Sequence, residues 1–225
     1  MAYLALLLAI SYALGSIPTS VWIGRLFYHI DIREHGSGNA GATNTFRVLG
    51  WKAGIITLLI DAGKGYMATA IVAPAFASEL LSWFPSLTLI QLLAGIAAVA
   101  GHMYPVFARF RGGKGVATAA GALLAIEPLS LSLSVLVFLL VLLTTRYVSV
   151  ASISAALFFP LSLLLQQLLF HRTIDPSLYV LGALLALAIV YAHRSNIQRL
   201  LRGEESRVRS FRPARGRIHE ISTTD

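Results

Sequence analysis

Long uncharged stretches alternate along this chain with short ones rich in Arg, Lys and Gly. Residues 1–24 carry no charged side chain before Arg25, enough to cross a hydrocarbon core that takes about 20 helical residues. Residues 25–52 are charged and glycine-rich, a second apolar run reaches residue 77 with Asp61 and Lys64 inside it, and a third covers 85–101. Pro105 and the Gly112-Gly113 pair break up the polar connection that follows. From 115 to 145 the only charged residue is Glu127, and Pro128 comes directly after it. One helix over that run would be roughly 46 Å long at about 1.5 Å per residue, too long for a core of about 30 Å without strong tilt. A short helix, a turn at Glu127-Pro128 and a second helix fit better. Runs at 148–170 and 178–192, joined by HRTIDP, complete the pattern. The expected fold is all-α: a polytopic membrane protein with seven transmembrane helices, the fourth of them short.

Charge supports that count. Lys and Arg accumulate in short loops on the cytoplasmic side of a membrane. With seven helices and the N-terminus outside, Arg25, Arg33, Arg47, Lys52, Arg109, Arg111, Lys114 and Arg146 fall inside, together with a tail from Arg194 that holds eight Arg against four acids. Only Arg172 falls outside. Six helices would put the Arg-rich tail on the opposite side from the early basic loops. Residues 1–203 are therefore expected to form the membrane domain and 204–225 a basic cytoplasmic tail. No basic segment precedes the first apolar run, so that run reads as a retained helix rather than a cleaved leader.

Composition agrees with a bilayer as solvent: 56% hydrophobic residues, 12% charged and a mean hydropathy of +0.74. A net charge of +8 could mark a nucleic-acid binder, but here it is distributed as membrane-flanking stripes, so no nucleic acid is expected. The absence of cysteine excludes disulfides, thiolate metal sites and a Cys nucleophile.

Gly36, Gly38 and Gly41 spell G-x-G-x-x-G, a dinucleotide fingerprint only between a strand and a helix. Nothing here alternates as a half-buried strand does, so the pattern loses that meaning. What remains is a loop, residues 36–47, with many backbone N–H groups, the polar side chains of Ser37, Asn39, Thr43 and Asn44, and Arg47 as a fork for phosphate. It reads as an anion loop or as a turn whose Asn and Thr cap the next helix. Asp61 and Lys64 share a helical face and read as substrate-facing groups or as an internal ion pair. Gly112, Gly113 and Lys114 open the short fourth helix, whose free N–H groups and dipole favour an anion. His193 and Asn196 share a face at the inner end of the last helix; the imidazole could act as base or phosphate donor. Ser149 and Ser152 offer hydroxyls or plain helix contacts, and His102 suits a helix-ending role. The six histidines show no metal-ligand spacing, so neither metal nor cofactor is expected.

Taken together, GSGNAGATN, the D-x-x-K-G at 61–65, GHMYPVFARFRGGKG, RYVS and the terminal HRSN resemble the PlsY family of bacterial glycerol-3-phosphate acyltransferases, over residues 1 to about 203. The resemblance implies a seven-helix inner-membrane enzyme with its site facing the cytoplasm. Its expected activity is transfer of an acyl group from acyl phosphate to glycerol 3-phosphate, giving lysophosphatidic acid and phosphate in the first acylation of phospholipid synthesis. It implies an active site of Ser37, Asn39, Arg47, Lys114, His193 and Asn196, with Lys64 and Ser149 as further members. Gly36, Gly38, Gly41, Thr43, Asn44, Gly112 and Gly113 join them as phosphate-binding positions. Partners would be the two substrates, the bilayer and, as a candidate, the peripheral enzyme that makes acyl phosphate. Direct transfer is favoured over a Ser37 acyl-enzyme, because no carboxylate completes a Ser-His-Asp arrangement. No His has an Asp five positions on, as the other type of glycerolipid acyltransferase requires. The competing class is a membrane transporter for a small phosphorylated or anionic solute, although no internal repeat marks one.

Overall fold

The computed structural model describes residues 1–208, and among these the chain forms helices, turns and no strand. The first apolar run is interrupted: α1 (Ala2–Gly15) and α2 (Thr19–Tyr28) meet at Ser16-Ile17-Pro18. Pro18 has no N–H and steers Ile17 out of helical backbone. The Ile17 carbonyl is left outside the helical ladder, where Lys64 Nζ donates to it at 3.0 Å. A polar connection then leads to α3 (Ala42–Val48) and α4 (Trp51–Met67). The second run continues through a π-turn at Ala68–Val72 into the short α5 (Ala73–Ala75) and α6 (Ala77–Leu80). A π-turn frees a carbonyl, and Gln91 Nε2 takes that of Thr69 at 3.1 Å.

The third run is α7 (Leu87–Met103), capped by the Ser86 hydroxyl. The long fourth run divides where expected, into α8 (Val116–Ile126) and α9 (Pro128–Thr145), with Glu127 in non-helical backbone between them. Arg172 Nη1 holds that break by pairing with Glu127 at 3.0 Å, which gives the arginine of the 171–175 connection its partner. After α10 (Val148–Phe170) and α11 (Pro176–Ala192), the chain bends by 53° into α12 (Arg194–Leu201). Among the described residues, five helical stretches are long and apolar enough to cross a membrane, six if the bent pair counts as one, and α8 is shorter.

Helices in lipid gain little from hydrophobic burial against each other, so close backbone approach has to hold them together. Glycine provides it here. A Cβ on Gly15 or Gly101 would meet α7 or α1 backbone oxygen at 2.0 and 2.2 Å, and one on Gly65 or Gly121 would meet the α8 or α4 backbone at 2.0 and 1.8 Å. Leu92, Val99, Leu123, Phe159, Leu163, Leu185 and Ile189 form the main core among α7, α8, α10 and α11. A second cluster of Val21, Ile32, Ala40, Val48, Leu49 and Ala53 anchors the 29–41 connection against α2, α3 and α4. Arg33 joins that connection to the turn before α8, donating to Ala108 O at 2.8 Å while pairing with Asp31 at 2.7 Å. The hydrogen bonds from Arg33 hold the Asp31 carboxyl well below the usual carboxylate range against the opposing effect of burial.

Candidate active site

The glycine-rich loop takes its shape from one side chain. Asn44, 1% exposed, accepts from Ser37 N–H at 2.9 Å and donates to Ile32 O at 3.1 Å and His35 O at 2.9 Å. Both ends of its amide are spent on the loop's own backbone. Gly36 and Gly38 adopt left-handed backbone, φ 63 and 71, which lets the chain fold around that amide without Cβ strain. The result presents Ser37, Asn39, Thr43 and, one turn into α3, Arg47 to a cavity of about 630 Å³.

Lys114 reaches the same cavity from the opposite wall. Its loop is packed onto the end of α7: Gly113 N–H donates to His102 O at 3.1 Å, and a Cβ on Gly112 or Gly113 would meet His102 at 2.0 or 2.1 Å. Gly115, φ 80, then caps α8, whose first residues Val116 and Ala117 line the cavity. Lys114 Nζ donates to Asn196 Oδ1. Burial pushes the ammonium down to about 8; Glu205 opposes that, while Arg199 and Arg47 push the same way.

The third wall is the bend between α11 and α12. His193, 3% exposed, sits at the bend with Nδ1 at 2.8 Å from Ile189 O. A carbonyl can only accept, so Nδ1 carries the hydrogen, and in the neutral imidazole that burial favours Nε2 is left with a lone pair. Asn196 lies one turn on, its Nδ2 donating to Glu205 Oε1 at 2.6 Å. Ser149 donates to the same oxygen at 2.8 Å and Arg199 Nε to Oε2 at 2.8 Å. Burial would raise the Glu205 carboxyl, but these hydrogen bonds hold it below its ordinary value.

All six residues expected in the active site, Ser37, Asn39, Arg47, Lys114, His193 and Asn196, line this cavity, as do Gly36, Gly41, Thr43, Asn44 and Ser149. Gly38, Lys64, Gly112 and Gly113 lie outside its lining. Lys64 pairs instead with Asp61 at 2.9 Å, beside Thr19 Oγ1 at 3.1 Å and His102 Nδ1 at 3.5 Å from the same carboxylate. Gly112 and Gly113 support the Lys114 loop through packing. Arg199 and Glu205 line the cavity without having been expected there. Arg199 was findable, since it follows Asn196 by three on α12; Glu205 comes after the helix has ended and gave no periodic signal.

Most of the remaining lining is apolar, Asp61, His102, Ser134, Ser152 and Ser206 apart. Ala119, Ala120 and Leu123 of α8, Leu131, Val135, Phe138 and Leu139 of α9, and Ala155, Ala156 and Phe159 of α10 extend it away from the polar end. One end can thus gather phosphate oxygens and the other can take an alkyl chain.

Several known proteins are similar to this chain. The family model described as glycerol-3-phosphate acyltransferase matches residues 5–203. A glycerol-3-phosphate acyltransferase of Salinibacter ruber is 51% identical over 221 residues, 96% of each chain. One of Chlorobium luteolum is 45% identical, covering 92% of this chain and 97% of its own. Among solved structures, the glycerol 3-phosphate form of PlsY, an integral membrane glycerol 3-phosphate acyltransferase, superposes with a TM-score of 0.78 at 37% identity, over 97% of this chain and 98% of its own. The lysophosphatidic acid form gives 0.75 at 38% identity, over 91% and 94%.

Proposed function

Because the chain belongs to the glycerol-3-phosphate acyltransferase family, and is an integral membrane protein that acylates glycerol 3-phosphate, we propose that its acyl donor is acyl phosphate and its products are lysophosphatidic acid and inorganic phosphate. The observation that carries the reading is one cavity with two ends: Lys114 on Asn196, with Arg47 and His193, at the polar end, and the α8–α10 side chains along an apolar arm.

Acyl phosphate is already activated, so the protein has to position the acceptor, bind the leaving group and stabilise developing charge. The 36–41 loop and Lys114, at the N-terminus of α8, hold the donor phosphate. Arg47, His193 and Asn196 orient glycerol 3-phosphate. Its hydroxyl oxygen attacks the acyl carbon, the new ester C–O bond forms, and the C–O bond to phosphate breaks with its electron pair leaving on phosphate. The hydroxyl proton goes to His193 Nε2 or departs on the phosphate. Ser37 acts as a hydrogen-bond donor, and transfer is direct.

The same reading has seven helices crossing a bacterial inner membrane, α8 being the short fourth, with the N-terminus outside and the polar end of the cavity in the cytoplasm. The positions of Arg25, Arg33, Arg47, Lys52 and Lys114 in the sequence support it. The peripheral enzyme that makes acyl phosphate would then deliver it at this face.

The test is purified protein in lipid supplied with acyl phosphate and glycerol 3-phosphate, without metal or coenzyme A. Release of phosphate together with lysophosphatidic acid is expected. Accumulation of labelled glycerol 3-phosphate inside vesicles, with no phosphate released, would overturn the reading in favour of transport.

A further inference from the structure

The matched segment ends at Gly203, and there the chain turns back. Gly203, φ 72, donates to Leu200 O at 3.1 Å and Glu204 N–H to Arg199 O at 2.8 Å, the paired bonds of a Schellman helix end. The reversal lays residues 204–208 against the α9–α10 connection. Val208 N–H donates to Arg146 O at 2.8 Å, while Arg207 covers the Tyr147 ring at 4.9 Å and donates to its hydroxyl at 2.8 Å. Between these two anchors Glu205 is delivered into the cavity wall, its side chain 8% exposed.

An Asn amide has a donor end and an acceptor end, whereas a carboxylate only accepts and an ammonium only donates. With Glu205 on one side of Asn196 and Lys114 on the other, only one flip of the amide satisfies both neighbours. We propose that Glu205 is a positioning residue of the acyl-transfer site: its carboxylate sets the flip of Asn196, so that the amide oxygen faces Lys114 and fixes the ammonium at the cavity wall. The same carboxylate ties Ser149 and Arg199 into one unit with Asn196. It also supplies the counter-charge to Lys114, which is otherwise faced by Arg47 and Arg199, with His193 beside it. This inference rests on the reading that Lys114 and Asn196 handle substrate phosphate.

Full-length Glu205→Gln and Glu205→Asp, reconstituted in lipid, test it through kcat, KM for glycerol 3-phosphate and the pH–rate profile, with thermal unfolding followed alongside. The protonated ammonium is the working form, present below its pKa and lost above it, and removing the counter-charge lowers that pKa. Glu205→Gln should therefore lose about tenfold to hundredfold in kcat, the size of effect that small misplacements produce, and its alkaline limb should move to lower pH. Glu205→Asp keeps the charge and should return the limb toward the native position. A Glu205→Gln enzyme with native kcat and an unmoved limb overturns the proposal. So does a fall in KM at unchanged kcat, which would make the carboxylate an anion that substrate displaces. Should the Glu205 variants unfold, Arg199→Gln takes their place: loss of that cation should move the limb to higher pH, and an unmoved limb overturns the proposal. Loss of turnover in Lys114→Ala beside native Glu205 variants sinks this inference alone; native turnover in Lys114→Ala sinks the reading beneath it.

Discussion

At the scale of single residues, Lys114 and Asn44 illustrate two ways a polar group serves the same cavity. Lys114→Ala should reduce kcat/KM by at least about a hundredfold, as loss of a positioned electrostatic group does, with the unfolding temperature in detergent unchanged. Because burial brings the ammonium down to about 8, native activity should fall as pH rises through that value rather than near the ordinary lysine range, which a pH–rate profile reads directly. His193→Gln separates the two proton acceptors: a drop of about a hundredfold or more indicates general-base work by the imidazole, while a rate within about tenfold assigns the proton to the phosphate. Asn44 is different, since its amide ends on Ser37, Ile32 and His35 backbone. Asn44→Ala should unfold at lower temperature by the equivalent of about 1–3 kcal/mol for each buried group left unpaired. Sequence put Asn44 among the phosphate-binding positions because an amide in a glycine-rich loop reads the same whether it faces ligand or backbone. For Lys114, a cation at a helix start had fewer uses, and it was legible.

At the scale of elements, the breaks matter as much as the helices. The Glu127-Pro128 turn was legible from length alone, because a helix over 115–145 could not fit the bilayer. The Ser16–Pro18 break was not foreseen, although Pro18 marks it, since an uncharged run of spanning length gave no reason to divide it. Its consequence is the Lys64 contact with Ile17 O, which together with Asp61 explains why this lysine is 4% exposed and outside the cavity. Asp61→Ala would leave that ammonium without its ion partner in an apolar span and should destabilise the fold by about 3–5 kcal/mol, as broken buried pairs do. Gly121→Val should be comparably damaging by another route, because its Cβ would lie 1.8 Å from Ala62 O and push α4 from α8. Denaturation in detergent checks both. Glycines at such crossings are visible in sequence, but their partners are not, as each close approach joins helices distant along the chain.

At the scale of the whole molecule, the chain has no cysteine, so single engineered thiols report orientation without background. On the proposed topology, Arg202→Cys should react with a membrane-impermeant reagent only from the cytoplasmic side and His171→Cys only from the other; the reverse pattern would invert the molecule in the membrane. The tail expected at 204–225 divides between residues 204–208, which complete the cavity wall, and 209–225, which lie outside the described residues. Val135 and Leu139, finally, line the cavity and are 43% and 46% exposed. Were that exposed area continuous with the outside of α9, the cavity would open sideways onto lipid. For an acyl donor dissolved in the bilayer, turnover would then follow its mole fraction in the membrane rather than its concentration in the tube. Diluting the vesicles' donor with inert lipid should slow the enzyme, and diluting the whole suspension with buffer at saturating glycerol 3-phosphate should leave the rate per enzyme unchanged.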